Sequence, residues 1–118
     1  MLVEQRIVHK PWGKEIIWSH CPKFVGKMLY INSGHKLSRQ YHVEKEETIF
    51  VLTGTLLLEI GQGKEIEKIE MKKGQSFHVK PKTIHRFCAP YGDVELVEVS
   101  TPELEDVVRL EDDYSRSK

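Results

Sequence analysis

Short apolar runs alternate with turn signals along almost the whole chain. "KEIIW" precedes "SHCPK", "KFVGKMLYI" ends at "NSG", and "ETIFVL" ends at "TG". "TLLLEI" runs into "GQG", "SFHV" into "KPKT", "IHRFCA" into "PYGD", and "VELVEVS" into "TP". Most of these runs fall in the range of about 4–8 residues and are rich in Val, Ile, Leu, Phe and Tyr. That is too short for helices and too evenly punctuated for strands alternating with helices. The pattern predicts an all-β sandwich or barrel, and 118 residues predict one domain spanning 1–118.

Bulk composition removes several classes of function. Lys+Arg and Asp+Glu are equal at 18 each, so no net charge advertises a nucleic-acid or anionic-membrane partner. No apolar run approaches the about 18 residues of a membrane span, and "MLVEQRIVHKPWG" has no apolar segment of the secretory kind. Cys21 and Cys88 lie far apart and outside any CxxC, which favours free thiols and a reducing, cytoplasmic setting.

One segment reads as helical. In "TPELEDVVRL", Thr101 is placed as an N-cap, Pro102 as the first helical residue, and acidic residues fill the first turn. The expectation is one or two turns after the last strand, followed by a polar, frayed "EDDYSRSK".

The stretch "QYHVEKEETIFVLTG", from Gln40, crowds ligand-type groups ahead of a strand. Gln40 and His42 are two apart, so on a strand they share a face. Glu47 follows five residues later, and His85 lies on a separate expected strand. If the strands are neighbours in a barrel, two imidazoles, a carboxylate and an amide oxygen converge. Such an N/O set suits Zn, Mn, Fe, Co or Ni and leaves positions open for substrate or water. His20 and His35 fall in turn-like segments and read as solvated.

Glycine spacing supports this grouping. Gly34, Gln40-x-His42, Glu47 and Gly54 are followed by Gly74 and by "KPKTIH", ending at His85. The arrangement resembles the two-part cupin signature, with Gln40 at the usual first histidine, Lys82 at the usual glycine and Ala89 at the usual asparagine. The resemblance implies a cupin-type double-stranded β-helix, or jelly-roll barrel, with a divalent metal in its mouth. A narrower resemblance spans nearly the whole chain. "HKPWGKEIIW", "GHKLSRQYHVEKEETIFVLTGT", "TIHRF" and "DVVRLEDDYSR" are similar to segments of the C-terminal domain of type II phosphomannose isomerases. Q-x-H is itself usual in that family.

That resemblance implies a metal-dependent sugar-phosphate isomerase acting on mannose 6-phosphate. Gln40, His42, Glu47 and His85 would be the metal ligands. His78 and Glu98 are candidate bases, and Lys45 stands where the family has an arginine. Lys36 would share the inward face with Gln40 and His42 and meet the phosphate, with Lys27, Arg86 and Arg116 as further candidates; Leu37 and Tyr41 would face away. The larger members also carry a guanylyltransferase domain with no counterpart in these residues, so nucleotide transfer is not expected. The family's "HHHRAEHW" reads "HVEKEETI" here, which puts substrate identity in question around Lys45. Two other readings share the fold: a metal- or carbohydrate-binding cupin without turnover, and a small iron-dependent dioxygenase. Outward apolar residues on the sheets suggest a homodimer. Trp12 and Trp18 are expected to pack across the barrel end.

Overall fold

The computed structural model describes residues 1–114; Arg116 lies outside the described residues. Eleven strands form two antiparallel sheets. They are β1 (Arg6–Lys10), β2 (Gly13–His20), β3 (Val25–Ile31), β4 (Arg39–Tyr41), β5 (Glu47–Thr53), β6 (Leu56–Ile60), β7 (Glu67–Met71), β8 (Ser76–Val79), β9 (His85–Cys88), β10 (Val94–Ser100) and β11 (Val108–Glu111). The larger sheet runs β1-β2-β3-β10-β5-β8, and the smaller runs β11-β4-β9-β6-β7. The order interleaves early and late strands, as a double-stranded β-helix requires. The all-β expectation holds.

Strand alternation determines what lies between the sheets. On β5, Ile49 and Val51 are fully buried while Phe50 and Leu52 face outward. Leu29, Ile31, Val94 and Leu96 join them from the larger sheet; Leu56, Leu58, Met71 and Phe87 answer from the smaller one, and Trp12 closes one side. Truncating a fully buried leucine such as Leu58 to Ala removes roughly 2–5 kcal/mol. Gly54, at the β5–β6 turn, has φ of +82°, and a Cβ there would sit 2.3 Å from the Asp93 carbonyl oxygen. Only glycine fits. Trp18 is not part of the core. It lies on the outer face of the larger sheet, where its ring covers Gly26.

The helix expected from Thr101 does not form. Residues 101–107 make a chain of turns, and Val108–Glu111 pairs with β4 as strand β11. Thr101 Oγ1 is taken by the Glu46 N–H, and the Asp106 carboxylate accepts N–H bonds from residues 43–45. The capping chemistry is real but serves another segment, and pairing with β4 overrides the local preference. The tail is not frayed through residue 114 either. Asp113 accepts from Arg86, and the Tyr114 hydroxyl is hydrogen-bonded to His35 Nδ1 at 3.0 Å. His35 is therefore held by a partner, contrary to a solvated turn residue.

Candidate metal centre

At one end of the barrel the inward-facing row changes character on four strands. Val51 gives way to Glu47 on β5, Leu96 to Glu98 on β10, Leu29 to Lys27 on β3, and Phe87 to His85 on β9. All four polar residues are buried. Register explains the grouping: Glu98 pairs with both Ile49 and Lys27, and Gln40 pairs with His85. Carrying charge into a barrel is costly unless each group finds a partner.

His42, Glu47 and His85 each offer one donor atom, and these atoms lie within 4.8 Å of one another. Glu47 Oε2 is 3.8 Å from His42 Nε2, and Glu47 Oε1 is 3.7 Å from His85 Nε2. These separations are too long for hydrogen bonds. They suit donors sharing one ion: two atoms each about 2.1 Å from a common metal lie at most about 4.2 Å apart.

The second nitrogen of each ring defines the tautomer. His42 Nδ1 meets the Asp106 carbonyl oxygen at 2.6 Å, and His85 Nδ1 meets that of Thr83 at 2.8 Å. A carbonyl only accepts, so each Nδ1 carries the proton and each Nε2 presents a lone pair. Both Nε2 atoms are buried and without a hydrogen-bond partner. Burial, joined for His42 by the nearby Lys45 ammonium, holds both imidazoles below the ordinary histidine range. Neutral rings anchored through Nδ1 with unpartnered Nε2 atoms are what metal ligation needs. The residues fit a divalent cation.

Charge balance points the same way. Lys45 Nζ lies 3.0 Å from Glu47 and 3.2 Å from Glu98; Lys27 lies 3.3 Å from Glu15 and 3.8 Å from Glu98. Three carboxylates therefore face two ammonium groups, and a bound cation would offset the remaining negative charge. Burial and the Glu98 charge push the Glu47 carboxyl up. Burial also opposes charge on Glu98, but Lys45 and Lys27 outweigh it and hold that carboxyl down. Lys45 is raised despite its burial, because both carboxylates favour the ammonium form.

A cavity of about 610 Å³ opens over this end, lined by Gln40, His42, Lys45 and Lys27 among others. Gln40 shares that wall, with its Oε1 accepting a 2.7 Å bond from Ser38 Oγ. Leu37 is buried in the core and lines the cavity, so it does not face away. His20 lines its edge and is exposed, as expected of a solvated residue.

Other expected residues lie elsewhere. His78 sits on the outer face of β8, bonded to Thr48 Oγ1 and Glu46, on the opposite side of the sheet from Glu47. Arg86 is buried, donating to the Leu37 carbonyl and to Asp113, and Lys36 is ion-paired with Asp113. Neither lines the cavity. Arg6 and Lys10 on β1, Glu15 on β2 and Arg109 on β11 do, and sequence reasoning missed all four. The alternation Arg6–Val8–Lys10 was the available signal for the first pair.

Residues 2–112 match the mannose-6-phosphate isomerase C-terminal family. The chain belongs to this family. Among curated relatives, the Xanthan biosynthesis protein XanB of Xanthomonas campestris pv. campestris is 30% identical over 116 residues, covering 95% of this chain and 24% of that protein. A mannose-1-phosphate guanylyltransferase of Salmonella muenchen is 28% identical over 108 residues, covering 88% and 22%. This family member thus spans about a quarter of the length of the curated relatives it matches. Among solved structures, the capsular polysaccharide assembling protein CapF from Staphylococcus aureus superposes with a TM-score of 0.80 at 14% identity, covering 92% of this chain and 32% of that one. The nucleoside dehydratase Pac13 superposes at 0.74 with 18% identity, covering 92% and 87%. At these identities the structural likeness establishes the fold alone.

Proposed function

We propose that the chain is a metal-dependent aldose–ketose isomerase acting on mannose 6-phosphate. The observation that carries this reading is the pair of Nδ1-anchored histidines whose unpartnered Nε2 atoms converge with Glu47 beside the cavity. Membership of the mannose-6-phosphate isomerase C-terminal family supports the substrate class.

His42, Glu47 and His85, with the Gln40 amide oxygen as a fourth donor, would hold a divalent ion (Zn, Mn, Co, Ni or Fe). When bound, it would act as a Lewis acid toward the sugar's carbonyl and hydroxyl oxygens. Isomerisation moves a proton from the carbon beside the carbonyl to the former carbonyl carbon, so a base must face the cavity. Glu15 does, and Lys27 holds its carboxylate in place. Glu98 stands behind Lys45 and serves to keep that lysine protonated. Lys45 faces the cavity as an ammonium, placed to stabilise negative charge developing on a substrate oxygen.

A coupled assay of mannose 6-phosphate to fructose 6-phosphate with added Mn, Co or Zn tests the reading. Turnover is expected in wild type and not in a His42→Ala, His85→Ala double variant. A second reading has a specific observation in its favour: two histidines and one carboxylate are also the ligand set of non-haem iron oxygenases. Oxygen uptake with Fe(II), and no hexose phosphate turnover with any metal, would favour it. Binding of sugar without either reaction would favour a non-catalytic cupin.

The outer face of the larger sheet supports a homodimer. Phe50, Leu52, Val99, Phe24 and Trp18 are all exposed there or at its border. A second copy of the same face would cover these side chains with two-fold symmetry.

A further inference from the structure

Among the described residues, one buried cationic donor has no hydrogen-bond partner. Arg39 is engaged by Glu59, Glu111 and the Gly61 carbonyl, and Arg86 by Leu37 and Asp113. Lys27 and Lys45 are both held by carboxylates. Arg109 is different. It lines the cavity, and its Nε is buried with no hydrogen-bond partner. A buried guanidinium donor left unpaired is costly, and a ligand that binds there removes the cost.

Register fixes where Arg109 stands relative to the candidate metal ligands. Arg109 pairs with Gln40, and Gln40 pairs with His85, so the three occupy one row across β11, β4 and β9. Residues directly opposite in antiparallel strands share a face. Two strand spacings, roughly 10 Å, separate the Arg109 and His85 backbones. That span suits a molecule with its reacting end at the ligands and an anionic group at the far end. Arg6 and Lys10 of β1 line the same cavity, and with Arg109 they give its outer wall a cationic character beside the acidic Glu15 and Glu105.

We infer that Arg109 is the phosphate-recognising residue of this cavity, with Arg6 and Lys10 contributing longer-range attraction. This inference rests on the sugar-phosphate reading above and specifies which end of the substrate goes where. A planar guanidinium matches phosphate oxygens in a two-point contact. The sequence-based phosphate candidates Lys36 and Arg86 are committed to Asp113 instead.

The test is calorimetric titration of metal-reconstituted protein with mannose 6-phosphate, mannose and inorganic phosphate, on wild type, Arg109→Gln and Arg109→Lys, with turnover measured in parallel. Wild type is expected to bind mannose 6-phosphate at least about 10-fold more tightly than mannose. Arg109→Gln should lose that difference and its affinity for inorganic phosphate while binding mannose and metal as before. Arg109→Lys should recover part of the preference, since a point charge still attracts phosphate. Equal mannose 6-phosphate affinity in wild type and Arg109→Gln overturns the inference, as does a wild type with no preference for the phosphorylated sugar. Phosphate-dependent binding without turnover would sink the isomerase reading and leave the Arg109 site standing. Turnover with the same KM in Arg109→Gln would do the reverse.

Discussion

The Nδ1–H of His42 donates to the backbone carbonyl of Asp106 at 2.6 Å, while the Asp106 carboxylate accepts N–H bonds from Val43, Glu44 and Lys45 at 2.7–3.0 Å. One residue of the C-terminal segment thus orients a candidate ligand and braces the loop that follows it. Asp106→Ala keeps the carbonyl and removes the brace. Stability should fall by about 1 kcal/mol, the low end for charged hydrogen bonds because the carboxylate is solvent-accessible. Metal affinity should fall about 10-fold or more, as for other residues that orient a ligand. Thermal melts and metal titration check the two effects separately.

Lys45 separates two buried carboxylates. Lys45→Met leaves Glu47 and Glu98 facing each other without the ammonium, and should cost about 3–5 kcal/mol. Adding Glu98→Gln to Lys45→Met should restore a large part of that loss, because the repulsion goes with the second charge. A double-mutant cycle in urea measures the coupling. Additive losses would show that Lys45 is not there to balance these two carboxylates.

Lys82 has φ of +67°, the one left-handed non-glycine among the described residues, and its N–H bonds to the His42 carbonyl at 2.6 Å. It occupies the position where the cupin signature has glycine. Lys82→Gly relieves a conformation that costs a side-chain-bearing residue roughly 1–2 kcal/mol but adds backbone entropy to the unfolded chain. The expected net change is neutral to about 1 kcal/mol stabilising, read from urea midpoints. A clear destabilisation would mean that the Lys82 side chain contributes to the fold.

Asp113 links the C-terminal segment to Arg86 and Lys36. Burial works against its carboxylate, and the two cations outweigh burial, holding its carboxyl below the usual range. A depressed carboxyl adds stability that is fully present above the unfolded value of about 4 and disappears as pH falls through the folded value. Asp113→Asn should therefore be less stable than wild type at pH 6, by no more than about 1 kcal/mol for so exposed a pair. The two proteins should converge near pH 2. A gap that persists in acid would assign the effect to packing.

The fold and the grouping of the candidate ligands were largely legible in the sequence because both follow from local pattern. Period-two alternation put Ile49 and Val51 inside with Glu47 in register above them, and turn residues marked the strand ends. His85 could be grouped with His42 through the resemblance, though nothing local joins them. Two things were not legible. Residues 101–111 carry a helix-start signal, yet Thr101 and Asp106 spend their hydrogen-bonding capacity on residues 43–46, a choice made only in three dimensions. The phosphate candidates failed for a related reason. Lys36 and Arg86 have the right charge, but Asp113, distant in sequence, claims both, while Arg109 acquires its place from the β11–β4–β9 register.

The central claim is that His42, Glu47 and His85 hold one divalent ion. Elemental analysis after reconstitution with Mn, Co, Ni, Zn or Fe(II) and desalting tests it most directly. Wild type is expected to retain about one ion per chain, the His42→Ala, His85→Ala variant to lose it, and Arg109→Gln to keep it. A wild type that retains no metal from this series, or a double variant that retains as much as wild type, would contradict it.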